Sequence, residues 1–198
     1  MTQNARDISA LLGSRICHDL ISPLGAIGNG LELLSMSGVA NAEMTLIAES
    51  VANANARVRF YRVAYGSASA DHAMGRAEIT GILDDINRGS RLSVSWKPEA
   101  ACMRQDVKLA FLVIQCLETA LPYGGQITVS HTEGVWRLHG SADKLKVDQD
   151  LWDLLAQNKP DVSISPSQVQ FALVPEMVTA LGRNLTLQMR DQDILVSY

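Results

Sequence analysis

The stretch RICHDLISPLGAIGNGLELL, residues 15–34, decides how the first third of this chain folds. Its apolar residues recur at spacings of three and four, which is typical of one side of an α-helix. From about Ile8 to Ser35 they fall within an arc of about 160°, since each helical residue advances by about 100°. They are Ile8, Leu12, Ile16, Leu20, Leu24, Ile27, Leu31 and Leu34. The pattern predicts one long amphipathic helix.

His18 lies almost opposite this apolar arc, so we expect its imidazole to face solvent. An exposed neutral histidine is a nucleophile, because one ring nitrogen keeps its lone pair. Pro23 follows a turn later and costs about 3 kcal/mol inside a helix, with a kink as the expected consequence. An ordinary exposed histidine beside a tolerated proline remains an alternative. Three, four and seven residues from His18 on the helix lie Leu11, Ser14, Arg15, Ile21, Ser22 and Gly25.

A second helix is predicted from about Ala42 to Tyr65, after a Ser- and Gly-containing break, SMSGVAN. Its apolar positions also recur every three or four residues: Ile47, Val51, Ala54, Val58 and Tyr61. Two such helices in a hairpin cannot bury their apolar sides alone. We therefore predict that two copies of the chain pair into a four-helix bundle, as a homodimer.

The remainder of the chain mixes strand and helix patterns, so the predicted fold class is α+β. RLSVSW and QITVSH alternate as half-buried strands do, and LTLQMR and ILVSY are further strands. VKLAFLVIQCLETAL and VQFALVPEMVTALG have the character of helices. The predicted division is a helical hairpin over residues 1–67, a linker over 68–76 and an α/β sandwich over 77–198.

Composition excludes several functions. The net charge is −4 and no basic stretch is dense, which argues against nucleic-acid binding. No apolar run approaches the roughly 20 residues that span a membrane, and the polar N-terminus is not a secretory signal. Cys17, Cys102 and Cys116 have no metal-type spacing and are expected to be reduced thiols in a cytoplasmic protein.

CHDLISPLGAI, residues 17–27, resembles the phosphoacceptor box of histidine kinases. In that box a histidine is followed by an acidic residue, a small polar residue, proline and leucine. The matching positions here are His18, Asp19, Ser22, Pro23 and Leu24. The resemblance implies that the hairpin is a dimerisation and histidine-phosphotransfer domain with His18 as phosphoacceptor.

The third zone is similar to the ATP-binding domain of the same kinases, with departures at its nucleotide-binding positions. VIQCLETALPYGGQITVS is similar to the helix and strand that carry the metal-binding asparagine, but Gln115 and Thr119 occupy the asparagine positions. VQFALVPEMVTALGRNLTL is similar to the segment of the nucleotide lid, but Val169 and Phe171 stand near its glycines. Phosphates require close approach to bare backbone, which bulky side chains hinder. We infer that this is a degenerate ATPase-like domain that has lost its ATP site.

A kinase-like hairpin joined to such a domain resembles the ChpT-type histidine phosphotransferases of alphaproteobacteria, over essentially the whole chain. The resemblance implies transfer of a phosphoryl group from the receiver domain of a CckA-type hybrid kinase to response regulators of the CtrA and CpdR types. It implies no cofactor of this chain's own, because the receiver supplies Mg²⁺. Asp19 is a candidate for orienting the imidazole. Leu11, Ser14, Arg15, Ile21, Ser22 and Gly25 are candidates for receiver docking.

Alternative interpretations are kept. An active histidine kinase is disfavoured by the missing glycines and asparagine. A pseudokinase scaffold that binds receivers without being phosphorylated, or a receiver phosphatase, stays open. His72, His131 and His139 have no flanking motif and are interpreted as structural or surface histidines.

Overall fold

A computed structural model describes residues 3–36, 42–69, 71–156 and 163–198, and only the backbone of residues 3–12, 14, 15 and 19. The chain divides into two compact units, residues 1–68 and 69–198. Within the described residues, no helix is long and apolar enough to cross a membrane.

The first unit is a pair of antiparallel helices, α1 (Gln3–Met36) and α2 (Ala42–Ala64). Both predicted helices are confirmed, and α1 is longer than predicted at its start. Residues 37–41 of the predicted break lie outside the described part. Two glycines of α1 mark the level of the pairing: a Cβ on Gly13 would lie 3.2 Å from the Tyr65 carbonyl oxygen, and one on Gly28 would lie in ordinary contact, 3.8 Å from Val51 Cγ1.

The apolar arc of α1 separates into two rows. Cys17 is buried, and Leu24, Gly28 and Leu31 are half-buried along the side that faces α2. The second row is exposed although it is apolar, and it consists of Ile16, Leu20, Ile27 and Leu34. The single stripe expected from the sequence thus packs against α2 along only one of its edges.

The second unit is built on a sheet whose described strands have the order β2-β4-β5-β7-β6. The strands are β2 (Leu92–Trp96), β4 (Gly125–Thr132), β5 (Val135–Ser141), β6 (Thr186–Met189) and β7 (Asp193–Ser197). Strands β2 and β4 are parallel, and the other neighbours are antiparallel. The helices are α3 (Arg76–Asn87), α4 (Arg104–Ala120), α5 (Gln149–Leu155) and α6 (Gln170–Ala180).

Alternation along the strands gives the sheet one buried and one partly solvated face, as in other sheets covered on a single side. Val94, Ile127, Leu138 and Val196 are buried, whereas Ser93, Gln126 and His139 between them are exposed. Helix α4 carries eleven buried residues and forms the centre of the core. These observations confirm the predicted α+β class.

The structure differs from the sequence prediction inside the predicted linker, residues 68–76. Ala73 and Met74 form a short strand, β1, which pairs with β3 (Cys102–Met103), and Met74 is fully buried. The partner strand is about thirty residues away in the sequence, so local composition does not reveal the pairing. Helices α3 and α5 were also not predicted, and α5 has only seven residues.

Candidate functional site

His18 is exposed on α1, as the helix geometry predicted. Its neighbour Cys17 is only 7% exposed and faces α2. Burial raises the pKa of the Cys17 thiol, and the Arg62 guanidinium on α2 opposes that shift. One helical step of about 100° therefore separates an inert, buried thiol from an accessible imidazole.

The structure describes only some of the side chains predicted to lie near His18. Ser22, one turn later, is exposed, and Ile21 and Gly25 are half-buried. The side chains of Leu11, Ser14, Arg15 and Asp19 lie outside the described part of the structure, so their predicted roles stay predictions. Pro23 is exposed, and α1 continues through it as one helix.

The end of α2 carries three exposed arginines that the sequence analysis did not single out: Arg57, Arg59 and Arg62. They belong to the last two turns of the helix, and Arg62 acts electrostatically on Cys17 beside His18. In the sequence these arginines belong to the segment ARVRFYR, residues 56–62. Their positions can be related to His18 only once the pairing of α1 with α2 is known.

Gln115, Thr119 and Phe171 stand at positions that were compared above with the nucleotide site of histidine kinases. In this structure the side chains of these residues pack against, or hydrogen-bond to, other parts of the chain. Phe171 is fully buried and its ring lies 5.5 Å from that of Trp152, edge to face, which joins α6 to α5. The hydroxyl of Thr119 donates a hydrogen bond of 2.7 Å to the Cys116 carbonyl, and Gln115 is buried.

The other histidines have structural or surface environments, in agreement with their interpretation from sequence. His72 is exposed, and its carbonyl accepts a hydrogen bond of 2.8 Å from the Arg104 amide. His131 stacks on Trp136 with ring centroids 4.6 Å apart. His139 Nε2 lies 3.6 Å from Asp193 Oδ1. Among the described residues, no group of three or more histidine, cysteine or acidic side chains is arranged to hold a metal ion.

Comparison with known proteins gives consistent matches. The model of the histidine phosphotransferase C-terminal domain matches residues 76–193. The chain is 31% identical to protein phosphotransferase ChpT of Brucella abortus (strain 2308) over 203 residues, which covers 100% of this chain and 97% of that protein.

Two solved structures also align with this chain. A bacterial phosphotransferase structure at 1.7 Å aligns with a TM-score of 0.70 and 27% identity, covering 100% of this chain and 98% of that chain. The histidine kinase domain of a blue-light activated kinase from Erythrobacter litoralis EL346 aligns over 92% of each chain, with 15% identity and a TM-score of 0.47. The match to the phosphotransferase thus includes both units.

Proposed function

Because this chain belongs to the histidine phosphotransferase family, whose members transfer phosphoryl groups in phosphorelays, we propose that His18 is its phosphoacceptor. In this proposal His18 receives the group from the aspartate of one receiver domain and passes it to the aspartate of another. The observation that carries the proposal is the exposed imidazole of His18 within the kinase-like segment CHDLISPL. The preceding residue of the same helix, Cys17, is buried.

The chemistry requires few groups from this chain. The neutral Nε2 lone pair attacks phosphorus, a P–N bond forms, and the receiver carboxylate leaves with the electron pair of the broken P–O bond. The proton on Nδ1 remains on the ring. The reverse sequence, with a second aspartate as nucleophile, returns the imidazole to its neutral form. The receiver supplies Mg²⁺, so the chain needs no cofactor of its own.

The residues around His18 have supporting roles in this proposal. Asp19 orients the imidazole, and the short side chain of Ser22 leaves room for the receiver. Leu11, Ser14, Arg15, Ile21 and Gly25 complete the docking surface. The partners are the receiver of a CckA-type hybrid kinase and CtrA- and CpdR-type regulators, in the cytoplasm.

The chain acts as a homodimer in this proposal. The exposed row formed by Ile16, Leu20, Ile27 and Leu34 supports it, because four large apolar side chains at helical spacing favour coverage by a second apolar surface. A second copy offers the same row and completes a four-helix bundle.

Replacing His18 tests the phosphoacceptor directly. We expect His18→Gln to keep the helical circular dichroism and to lose all ³²P label from a phosphorylated receiver, because glutamine has no nucleophilic ring nitrogen. His72→Gln, an exposed histidine of the second unit, is the matched control and should be labelled like the wild type. Label that persists in His18→Gln would exclude His18 as the acceptor.

The same experiment separates the alternatives. A chain that binds receivers but never carries label is a scaffold, as a pseudokinase would be. Incubation with labelled ATP and Mg²⁺, without a receiver, should leave the chain unlabelled, and autophosphorylation would instead identify an active kinase.

A further inference from the structure

A groove between α1 and α2 identifies which residues share one side of the hairpin. Its lining residues include Met36 of α1 and Ala52 and Asn55 of α2. Met36 from α1 and Ala52 and Asn55 from α2 therefore lie on the same side. We call this the groove side of the hairpin.

Helical repeat places His18 on the groove side. His18 precedes Met36 by eighteen residues, which is about five complete turns, so both project in nearly the same direction from α1. On α2, Arg59 follows Ala52 and Arg62 follows Asn55, each by seven residues or about two turns. Arg59 and Arg62 thus share the groove side with His18, whereas Arg57 points about 140° away from the Ala52 direction.

The pairing of the helices brings the same residues to one level along the hairpin. Gly13 lies against Tyr65 and Gly28 against Val51, so the position opposite His18 falls near Tyr61. The electrostatic effect of Arg62 on Cys17, the residue before His18, agrees with this level. Arg59 and Arg62 are each within about one turn of it, and both are exposed.

We propose that Arg59 and Arg62 of α2 bind the phosphoryl group at His18, a role that rests on the proposed function of His18. A phosphoryl group carries about two negative charges near neutral pH, and arginine is suited to its oxygens because the guanidinium offers several N–H donors in a planar fork. The pair offsets charge on the three equatorial oxygens while the P–O bond to one aspartate breaks and the P–N bond to His18 forms. The same contact holds the phosphohistidine until the second aspartate attacks.

The test compares single-turnover transfer to the wild type, to Arg59→Gln/Arg62→Gln and to Arg57→Gln. The donor is a hybrid-kinase receiver domain labelled with ³²P. At saturating receiver we expect the double variant to transfer about tenfold more slowly or worse, because it loses both charge-assisted hydrogen bonds. Arg57→Gln is the matched control, and its rate should stay within about twofold of the wild type. Circular dichroism and sedimentation check that the variants keep their fold and assembly.

A receiver-free arm separates phosphoryl binding from receiver docking. Phosphoramidate, a small donor, should also label the double variant more slowly than the wild type. Salt should narrow the difference, since exposed charges are screened over about 8–10 Å at moderate ionic strength. A change confined to the receiver concentration for half-saturation, with normal phosphoramidate labelling, would overturn the proposal in favour of a docking role.

Failure of this inference is distinguishable from failure of the proposed function. If His18→Gln is unlabelled but the double arginine variant transfers at the wild-type rate, only the arginine proposal is wrong. If His18→Gln retains label, the acceptor lies elsewhere and both proposals are wrong. Equal losses in Arg57→Gln and the double variant would show a general effect of charge and would also contradict the arginine assignment.

Discussion

At the scale of single residues, two neighbours on α1 differ sharply in their exposure. Cys17 and His18 are consecutive, yet one is buried against α2 with a raised pKa and the other is exposed. The rotation of the helix produces this difference without any special loop. A surface imidazole on a helix is presented in one direction, as the proposed phosphoacceptor role of His18 requires.

Gly124 occupies a backbone position that only glycine can adopt without strain. Its φ is +104°, and a Cβ there would lie 2.6 Å from the Arg91 carbonyl oxygen. We expect Gly124→Ala to lower the free energy of unfolding by about 2 kcal/mol or more, through both the backbone strain and the collision. Urea denaturation followed by circular dichroism measures the change.

Gly134 provides the comparison for that substitution. It has a φ of +77° in the turn between β4 and β5, but nothing lies within 4 Å of a Cβ placed there. Gly134→Ala should cost only the backbone preference, about 1 kcal/mol. If both substitutions lower the free energy of unfolding by the same amount, the close contact with Arg91 does not contribute to the cost of Gly124→Ala.

At the scale of elements, α1 has two apolar rows that differ in exposure. The row of Cys17, Leu24, Gly28 and Leu31 packs against α2, where Gly28 lies beside Val51. In the exposed row, Ile27 and Leu34 are each 49% accessible. An apolar row of this kind is unfavourable when it is exposed to water, so its burial against another apolar surface is favoured.

The exposed row makes the oligomeric state testable. We expect Ile27→Glu/Leu34→Glu to raise the dissociation constant of the homodimer by at least about 100-fold, because burying uncompensated carboxylates costs several kcal/mol. Sedimentation velocity at micromolar concentrations measures the shift. Asn29→Glu, an exposed position on the same helix but about 160° from the exposed row, should leave the dimer intact. A wild-type chain that sediments as a monomer would contradict the predicted pairing.

The side chain of Asn87, the last residue of helix α3, makes two hydrogen bonds to the backbone of the sheet. The Asn87 amide accepts a hydrogen bond of 2.9 Å from the Val94 N–H and donates one of 3.0 Å to the Val94 carbonyl. These bonds satisfy the backbone N–H and C=O of Val94, and β2 is the first of the described strands in the sheet order. The helix therefore covers an edge that would otherwise be open to pairing.

At the scale of the whole molecule, the fully buried groups of Cys116 and Tyr198 add a dependence of stability on pH in alkali. Burial raises the pKa of Cys116 and Tyr198 well above their ordinary values of 9.0 and 10.0. Both groups are neutral when protonated, so the folded chain keeps protons that the unfolded chain releases in alkali. Their contribution is complete below about pH 9 and is lost as the pH rises, because the unfolded state then binds fewer protons.

This linkage predicts alkaline destabilisation. Above its ordinary pKa, each group should lower the free energy of unfolding by about 1.4 kcal/mol per pH unit. Urea unfolding at pH 8.0 and pH 10.5 measures the slope. Tyr198→Phe should retain the slope due to Cys116 and lose the part due to Tyr198. An unchanged slope in Tyr198→Phe would mean that the phenol ionises in the folded state as readily as in the unfolded one.

The sequence by itself determined the elements whose signal is local. The two helices of the hairpin, helix α4 and strands β2 and β4 follow from apolar spacings of three and four or of two, which depend only on residues a few positions apart. The same local geometry predicted that His18 is exposed. The resemblance of residues 17–27 to a phosphoacceptor box identified the family, which the full-length match to a phosphotransferase supports.

The tertiary structure decided everything that depends on which distant segments meet. It divided the apolar arc of α1 into a packed row and an exposed one, and it paired β1 with β3 across about thirty residues. It also brought Arg59 and Arg62 to the side and level of His18, more than forty residues earlier in the chain. The periodicity of apolar residues shows which face of a helix is apolar. The segment that packs against this face is determined by contacts between elements, so it cannot be read from the sequence of one helix.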